Sequence, residues 1–210
     1  VEGYKNSIDQ LANMHINNYF FYDVYNTPAN PFPTNVERFT QDWATFLIPN
    51  NETDPDKRKS YLPVIDTEAV KELVAHVHTT GAKAMLYNMI YAVSLEEGVP
   101  NEVKSAIVRN LQDHFNFGKK GDVTATDIQQ FLDPGDPNWQ KFIIEVMTKA
   151  MKEGNFDGWQ GDTMGSNWVE KVSEPGKGFS LSEHYPELAT AATEALKKEG
   201  YDFMINDIST

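Results

Sequence analysis

The 210-residue sequence contains no cysteine. That absence excludes a disulfide framework, a thiolate metal site and a thiol nucleophile together. Basic residues are the next shortage, with 18 Lys and Arg against 31 Asp and Glu and a formal charge of −13. Nucleic-acid binding needs a Lys/Arg footprint that displaces counterions from phosphates, so nucleic acid is excluded as a partner and a neutral ligand fits better. No run of about eighteen apolar residues is available to cross a bilayer, and no membrane partner is expected. The chain begins Val1-Glu2-Gly3-Tyr4 without a basic and apolar leader, so any secretion signal is expected outside it. His76 and His78 are two apart on an expected helix and point away from each other, and His15, His114 and His184 are scattered, so no metal site is expected. There is no serine nucleophile elbow, phosphate-binding loop or GxGxxG, and no cofactor is expected. Carboxylates, amides and aromatics remain to carry any chemistry.

Length favours a single domain over residues 1–210 with a full core. Aromatic residues make up 12% of the chain, at Tyr19-Phe20-Phe21-Tyr22 and at Tyr25, Trp43, Tyr87, Trp139, Trp159 and Trp168 among others. Each is either core packing or a platform for a ligand, and position must decide.

A unit recurs along the chain: amphipathic helix, glycine, a short link, apolar strand, polar terminus. Its clearest copy starts at Asp66 as N-cap, runs through Val70, Leu73, Val74 and Val77 to Gly81, and continues as Ala84-Met85-Leu86-Tyr87 before Asn88. A second copy has Asp136 as N-cap, Pro137 at the first helical position, Trp139, Phe142, Ile143, Val146 and Ala150 on one face, and Gly154 after the end. It feeds Asp157-Gly158-Trp159-Gln160-Gly161-Asp162. A later copy runs from about Glu187 to Glu199, closes with Gly200 and yields Phe203-Met204-Ile205 before Asn206-Asp207. Two less regular copies join a helix at Ser7 to Asn13 with a strand from Ile16 to Tyr22, and a helix through Val103, Ala106, Ile107 and Leu111 with a strand from Ile128 to Leu132.

Helices alternating with continuous apolar strands imply parallel βα units. The strands end on Asp23, Asn88, Asp133, Asp162 and Asn206 or Asp207, which would converge on one mouth in a barrel. A doubly wound sheet would gather its ligand groups at one switch point, often with a glycine-rich loop that is missing here. The expected fold is therefore an α/β, parallel (β/α)8 TIM-type barrel, incomplete at about five βα units, with Asp162 on its fourth strand. Long loops are expected at 24 to 65, 89 to 101 and 163 to 186. Unpaired strand edges would follow, and with them possible self-association.

Carboxylates and aromatics at a barrel mouth suit glycoside hydrolysis by a carboxylate pair, about 5 to 5.5 Å apart in retaining enzymes and about 6.5 to 9.5 Å in inverting ones. In the 157–162 segment, Gly158 and Gly161 would let a ligand approach the backbone, Trp159 offers a stacking face and Gln160 an amide. Asp162 is the first candidate carboxylate, with a turn or cap residue as the alternative. Asp23 is the second, with the same alternative. Asp133 opens Asp-Pro-Gly-Asp-Pro and reads as a turn. Asp157 lies at the far end from the mouth.

The segments Asn18-Tyr19-Phe20-Phe21-Tyr22-Asp23-Val24-Tyr25-Asn26, Lys83-Ala84-Met85-Leu86-Tyr87-Asn88 and Asp157-Gly158-Trp159-Gln160-Gly161-Asp162-Thr163 resemble glycoside hydrolase family 66. That family contains endo-dextranases and cycloisomaltooligosaccharide glucanotransferases. The resemblance implies a catalytic barrel, secreted by a bacterium, that cleaves α-1,6-linked glucan with retention through a covalent glycosyl-enzyme intermediate. It places the nucleophile at Asp162 and substrate contacts at Tyr22, Asp23, Trp43, Tyr87, Asn88 and Gln160. The family's general acid/base is a Glu on a later strand, and nothing before Thr210 matches it, so this chain alone is expected to be nearly inactive. Cyclising transglycosylation and a glucan-binding module without chemistry are the competing expectations.

Overall fold

The computed structural model describes residues 1–22, 24–49, 51–95, 97–113, 118–126, 129–163 and 165–206. Helix α1 (Glu2–Asn13) precedes strand β1 (Asn18–Phe21). An excursion then carries β2 (Arg38–Thr40), a 3₁₀ segment at Asp42–Leu47, α2 (Pro55–Ser60) and β3 (Val64–Asp66). Helix α3 (Thr67–Thr79) leads into β4 (Lys83–Met89). A second excursion holds β5 (Ala92–Ser94), a 3₁₀ segment at Asn101–Ala106, β6 (Val108–Asn110), β7 (Thr124–Thr126) and β8 (Gln129–Phe131). Helix α4 (Pro137–Gly154) then leads into β9 (Gly158–Asp162). The hairpin of β10 (Trp168–Lys171) and β11 (Gly178–Ser180), helix α5 (Leu181–Lys198) and β12 (Asp202–Asn206) follow.

The frame is a four-stranded parallel sheet in the order β1-β4-β9-β12. Helices α1, α3, α4 and α5 each precede one of its strands. Local chemistry explains where they start. Asp66 accepts the Ala69 N–H at the head of α3, and Asp136 accepts those of Asn138 and Trp139 at the head of α4, whose first residue is Pro137. The periodic face of α4, with Trp139, Ile143, Met147 and Ala150, is buried. The Trp139 indole N–H donates to the Ile90 carbonyl at 2.8 Å and ties α4 to the end of β4.

The sheet holds four parallel strands rather than the expected five. The segment expected as a strand from Ile128 to Leu132 is β8, which runs antiparallel between β5 and β7; Ile128 itself lies outside the described residues. Its polar pair Gln129 and Gln130 accounts for this, because a strand buried on both faces of a parallel sheet is apolar throughout. Asp162 therefore ends the third parallel strand, not the fourth. The expected helix through Val103 and Leu111 is the 3₁₀ segment followed by β6. Val103 and Ala106 are buried at a spacing of three, the period of a 3₁₀ helix.

Three helix boundaries also differ. α1 begins at Glu2, five residues before the expected start. α4 keeps Gly154 inside and ends on Asn155 in the left-handed region, φ 57°. α5 begins at Leu181 and runs through Pro186 in its second turn, where the ring removes one N–H that would otherwise bond the Ser182 carbonyl.

The described residues do not close a barrel. The β1 edge carries Phe20 and Tyr22, 50% and 51% exposed, beside a groove of about 490 Å³ that Ile8, Leu11 and Leu73 also line.

Candidate functional site

The register of β4 against β9 pairs Tyr87 with Gln160 and Met89 with Asp162. Alternation along the strands then puts Tyr87, Gln160 and Asp162 on one face of the sheet, and Leu86, Asn88, Trp159 and Gly161 on the other. The Tyr87 hydroxyl donates to Asp162 Oδ2 at 2.7 Å. Asp162 Oδ1 and Gln160 Nε2 are buried and have no hydrogen-bond partner among the described residues.

Asp162 is 5% exposed. Burial pushes its carboxyl above the usual range, against the Tyr87 hydroxyl and the Thr163 N–H, which favour the ionised form. Burial also pushes the Tyr87 hydroxyl far up, helped by Tyr25 and by the charge of Asp162, so Tyr87 remains a donor at all working pH values. The Tyr91 hydroxyl is raised in the same way, by burial first and by Asp162 second. Tyr22 lies against Tyr87 with ring centroids 4.1 Å apart, and Tyr25 lies 5.4 Å from the same ring. A row of tyrosines thus leads from the exposed rim at Tyr22 to the buried carboxylate.

The loop after Asp162 is held from α5. The Tyr185 hydroxyl donates to the Gly165 carbonyl at 3.1 Å, and the Leu181 N–H donates to the Asn167 carbonyl at 2.9 Å. Asn167 is buried, with both side-chain polar atoms unpartnered among the described residues. Neither Tyr91 nor Asn167 was legible as a site residue: each lies in an irregular connection outside any periodic pattern.

Of the residues expected to contact substrate, the structure brings Tyr22, Tyr87 and Gln160 together with Asp162. Asn88 goes to the opposite face, where its amide donates to the Pro28 carbonyl at 2.8 Å and approaches Met147 Sδ at 3.2 Å. Asp23 and the Trp43 side chain lie outside the described residues, as does Asp207. Trp159 is not a stacking face; it is fully buried, edge-on to Phe203 at 4.9 Å, with its N–H directed to the Asn88 carbonyl. Gly158 and Gly161 admit neighbouring core groups rather than a ligand. A Cβ at 158 would meet the Asp202 carbonyl at 2.5 Å, and one at 161 would meet Ile90 at 2.8 Å. Asp133 is a turn residue within an ion network, accepting the Gly135 N–H at 2.8 Å. Among the described residues no group of three or more His, Asp or Glu side chains could hold a metal ion.

These features define an α/β protein with parallel βα units and a buried carboxylate at the C-terminal end of a central strand, flanked by tyrosines. The chain belongs to glycosyl hydrolase family 66, whose profile matches residues 1–210. It is 38% identical to a dextranase of Streptococcus salivarius across its whole length, which covers 24% of that protein. Among solved structures, it is similar to a cycloisomaltooligosaccharide glucanotransferase of a Paenibacillus species complexed with cycloisomaltoheptaose. The TM-score is 0.71 at 18% identity, covering 97% of this chain and 27% of the other. A noncanonic maltogenic alpha-amylase of Thermotoga neapolitana shares the fold at a TM-score of 0.51 and 14% identity, over 96% of this chain and 40% of that one. The chain thus spans about a quarter of the length of the dextranase and of the glucanotransferase.

Proposed function

We propose that residues 1–210 form part of a single-domain catalytic barrel of a retaining glycoside hydrolase acting on α-1,6-linked glucan, with Asp162 as nucleophile. The observation that carries this reading is the buried carboxylate at the end of β9, with one oxygen held by Tyr87 and the other unpartnered. Such an oxygen forms a bond to the anomeric carbon as the glycosidic C–O bond breaks, and a carboxylic acid protonates the departing oxygen. Water then releases the sugar from Asp162. The similarity to a dextranase supports the glucan substrate. The consecutive strand order β1-β4-β9-β12 and the similarity to the glucanotransferase support the barrel.

Tyr22 and Gln160 are assigned as substrate contacts, together with Asp23 and Trp43. Asn88 is assigned to shaping the site through Pro28 rather than to touching sugar. The four parallel strands contain no glutamate, so the general acid/base is assigned to a residue outside this segment. Loss of general acid catalysis typically costs about 10²- to 10⁴-fold. An external glucan polymer as substrate implies, on this reading, an enzyme that works outside the cytoplasm. No described helix is long and apolar enough to cross a membrane.

A second reading, cyclising transfer, is favoured by the similarity to the glucanotransferase and uses the same intermediate with a sugar hydroxyl as acceptor. Linear products from an enzyme containing this segment support hydrolysis, and cyclic products support transfer. Asp162 itself is tested with α-isomaltosyl fluoride, whose fluoride leaves without protonation. Mass spectrometry is expected to find a glycosyl adduct on the peptide containing Asp162 and none in Asp162→Asn. An adduct on another residue, or none in the wild type, overturns the assignment.

A further inference from the structure

We infer that Tyr87 is a positioning residue, not a sugar contact: its hydroxyl holds Asp162 Oδ2 and so selects Oδ1 as the oxygen that attacks the anomeric carbon. The inference rests on the reading of Asp162 as nucleophile and deepens it. The geometry assigns the two oxygens different tasks. Oδ2 receives the Tyr87 hydroxyl at 2.7 Å, and Oδ1 is buried without a partner among the described residues.

A free carboxylate rotates about its Cβ–Cγ bond and presents either oxygen. One anchored through a buried phenol keeps a single orientation, which shortens the search for the attacking geometry. Tyr87 is suited to the anchor. It sits on a central strand of the parallel sheet, it is almost fully buried, and its ring is confined between Tyr22 and Tyr25. Its hydroxyl stays protonated, so it can donate but cannot take a proton from Asp162 at working pH. The groups that face Asp162 come from several elements: Tyr87 on β4 and the Thr163 N–H beyond β9 bond to it, Tyr91 between β4 and β5 feels its charge, and Tyr22 after β1 acts on Tyr87 and Tyr91. None of these side chains is a cation, and the hydroxyl of Tyr87 supplies the hydrogen bond that the ionised carboxylate needs.

In the reaction, Oδ1 forms the C–O bond to the anomeric carbon while the bond to the leaving glucan breaks, its electron pair passing to the glycosidic oxygen. A carboxylic acid outside the segment protonates that oxygen. The hydrogen bond from Tyr87 to Oδ2 persists through the glycosyl-enzyme ester, where Oδ2 becomes the ester carbonyl. The same donor therefore stabilises the Asp162 carboxylate as it leaves, when water attacks the anomeric carbon, the C–Oδ1 bond breaks and its electron pair returns to Asp162.

The test uses the 210-residue chain with ¹³C-labelled aspartate, the Asp162 carboxyl resonance being assigned by its loss in Asp162→Asn. Tyr87→Phe removes the donor and is expected to raise the Asp162 titration midpoint by about one to two units. Replacement of Tyr87 by 3-fluorotyrosine keeps the ring and strengthens the donor, and is expected to lower the midpoint. Opposite shifts from two variants that both retain the ring would not arise from a packing role. An unchanged midpoint in Tyr87→Phe, or shifts of the same sign in both variants, overturns the inference, and the fluorinated protein decides the matter if Tyr87→Phe does not fold. Trapping by α-isomaltosyl fluoride, read well above both midpoints, is expected to slow on the order of tenfold in Tyr87→Phe; an equal rate overturns the positioning role. A wild-type adduct at Asp162 combined with an unmoved midpoint sinks this inference alone. A moved midpoint with no adduct at Asp162 sinks the nucleophile instead.

Discussion

His184 Nδ1 lies 2.6 Å from Asp133 Oδ1, and Asp133 is 1% exposed. Lys171 reaches the other oxygen of Asp133 at 3.3 Å and Asp136 at 2.9 Å. Side chains from β10 and α5 are thus tied to the turn before α4, and Lys171 also to Asp136, which caps that helix. The arrangement braces the hairpin that follows Asp162 against the helix that precedes its strand.

Replacing Lys171 with Met takes the ammonium away from two buried carboxylates, leaving Asp133 with His184 and the Gly135 N–H and Asp136 with Ser105 and the helix N–H groups. Removing one partner of a buried ion pair costs about 3–5 kcal/mol. Urea denaturation of Lys171→Met is expected to show a loss of that size at neutral pH. Burial alone would raise the Asp136 carboxyl, but Lys171 and the helix N–H groups hold it below its usual value of 3.8. A depressed carboxyl contributes stability above its unfolded value and loses it as pH falls through its folded value. The gap between wild type and Lys171→Met should therefore narrow below about pH 3.8.

Asp162 has the opposite sign. Its carboxyl is raised by burial, so its protonated form favours the fold below the usual value of 3.8, and that advantage is lost as pH rises. Asp162→Asn is expected to raise the melting temperature at pH 7 and to leave it unchanged near pH 3. A lower melting temperature at pH 7 would contradict the burial argument.

Gly158→Ala places a methyl group against the carbonyl of Asp202 on the neighbouring strand, a group that cannot rotate away. Overpacking of this kind costs about 1–3 kcal/mol, and a backbone neighbour puts the cost at the upper end. Thermal unfolding of the variant is the measurement.

Asp157 accepts the His78 ring N–H and the Ala84 N–H, each at 2.8 Å, at the opposite end of β9 from Asp162. Asp157→Ala is expected to cost about 1–3 kcal/mol in stability. Adduct formation at Asp162 should be unaffected in the folded variant.

Tyr22→Ala removes an exposed ring at the rim of the tyrosine row. Calorimetric titration with isomaltooligosaccharides is expected to show binding weakened by about 0.5–1.5 kcal/mol, the worth of one ring contact.

The sequence made the helix-then-strand unit legible wherever an N-cap carboxylate, a 3.6-residue period and an apolar strand occurred together, as from Asp66 to Asn88 and from Asp136 to Asp162. It misled at β8 because a run ending in Phe131 and Leu132 looks buried until its glutamines are given a face. That Asp162 ends a buried strand was legible. That the Tyr87 hydroxyl holds one of its oxygens was not, since that depends on a register matching Tyr87 to Gln160 across strands far apart in the chain. Nor was the role of Trp159, because an aromatic beside glycines fits a platform as well as a core, and only its packing on Phe203 decides.

The strand order β1-β4-β9-β12 also ranks the amide protons of the sheet. β4 and β9 are bonded on both sides, whereas β1 and β12 each have one partner among the described residues. Deuterium uptake should therefore reach the outer strands first and the two middle strands last. Tyr87 and Asp162 both sit on those middle strands, so the proposed chemistry is anchored where the backbone opens least often.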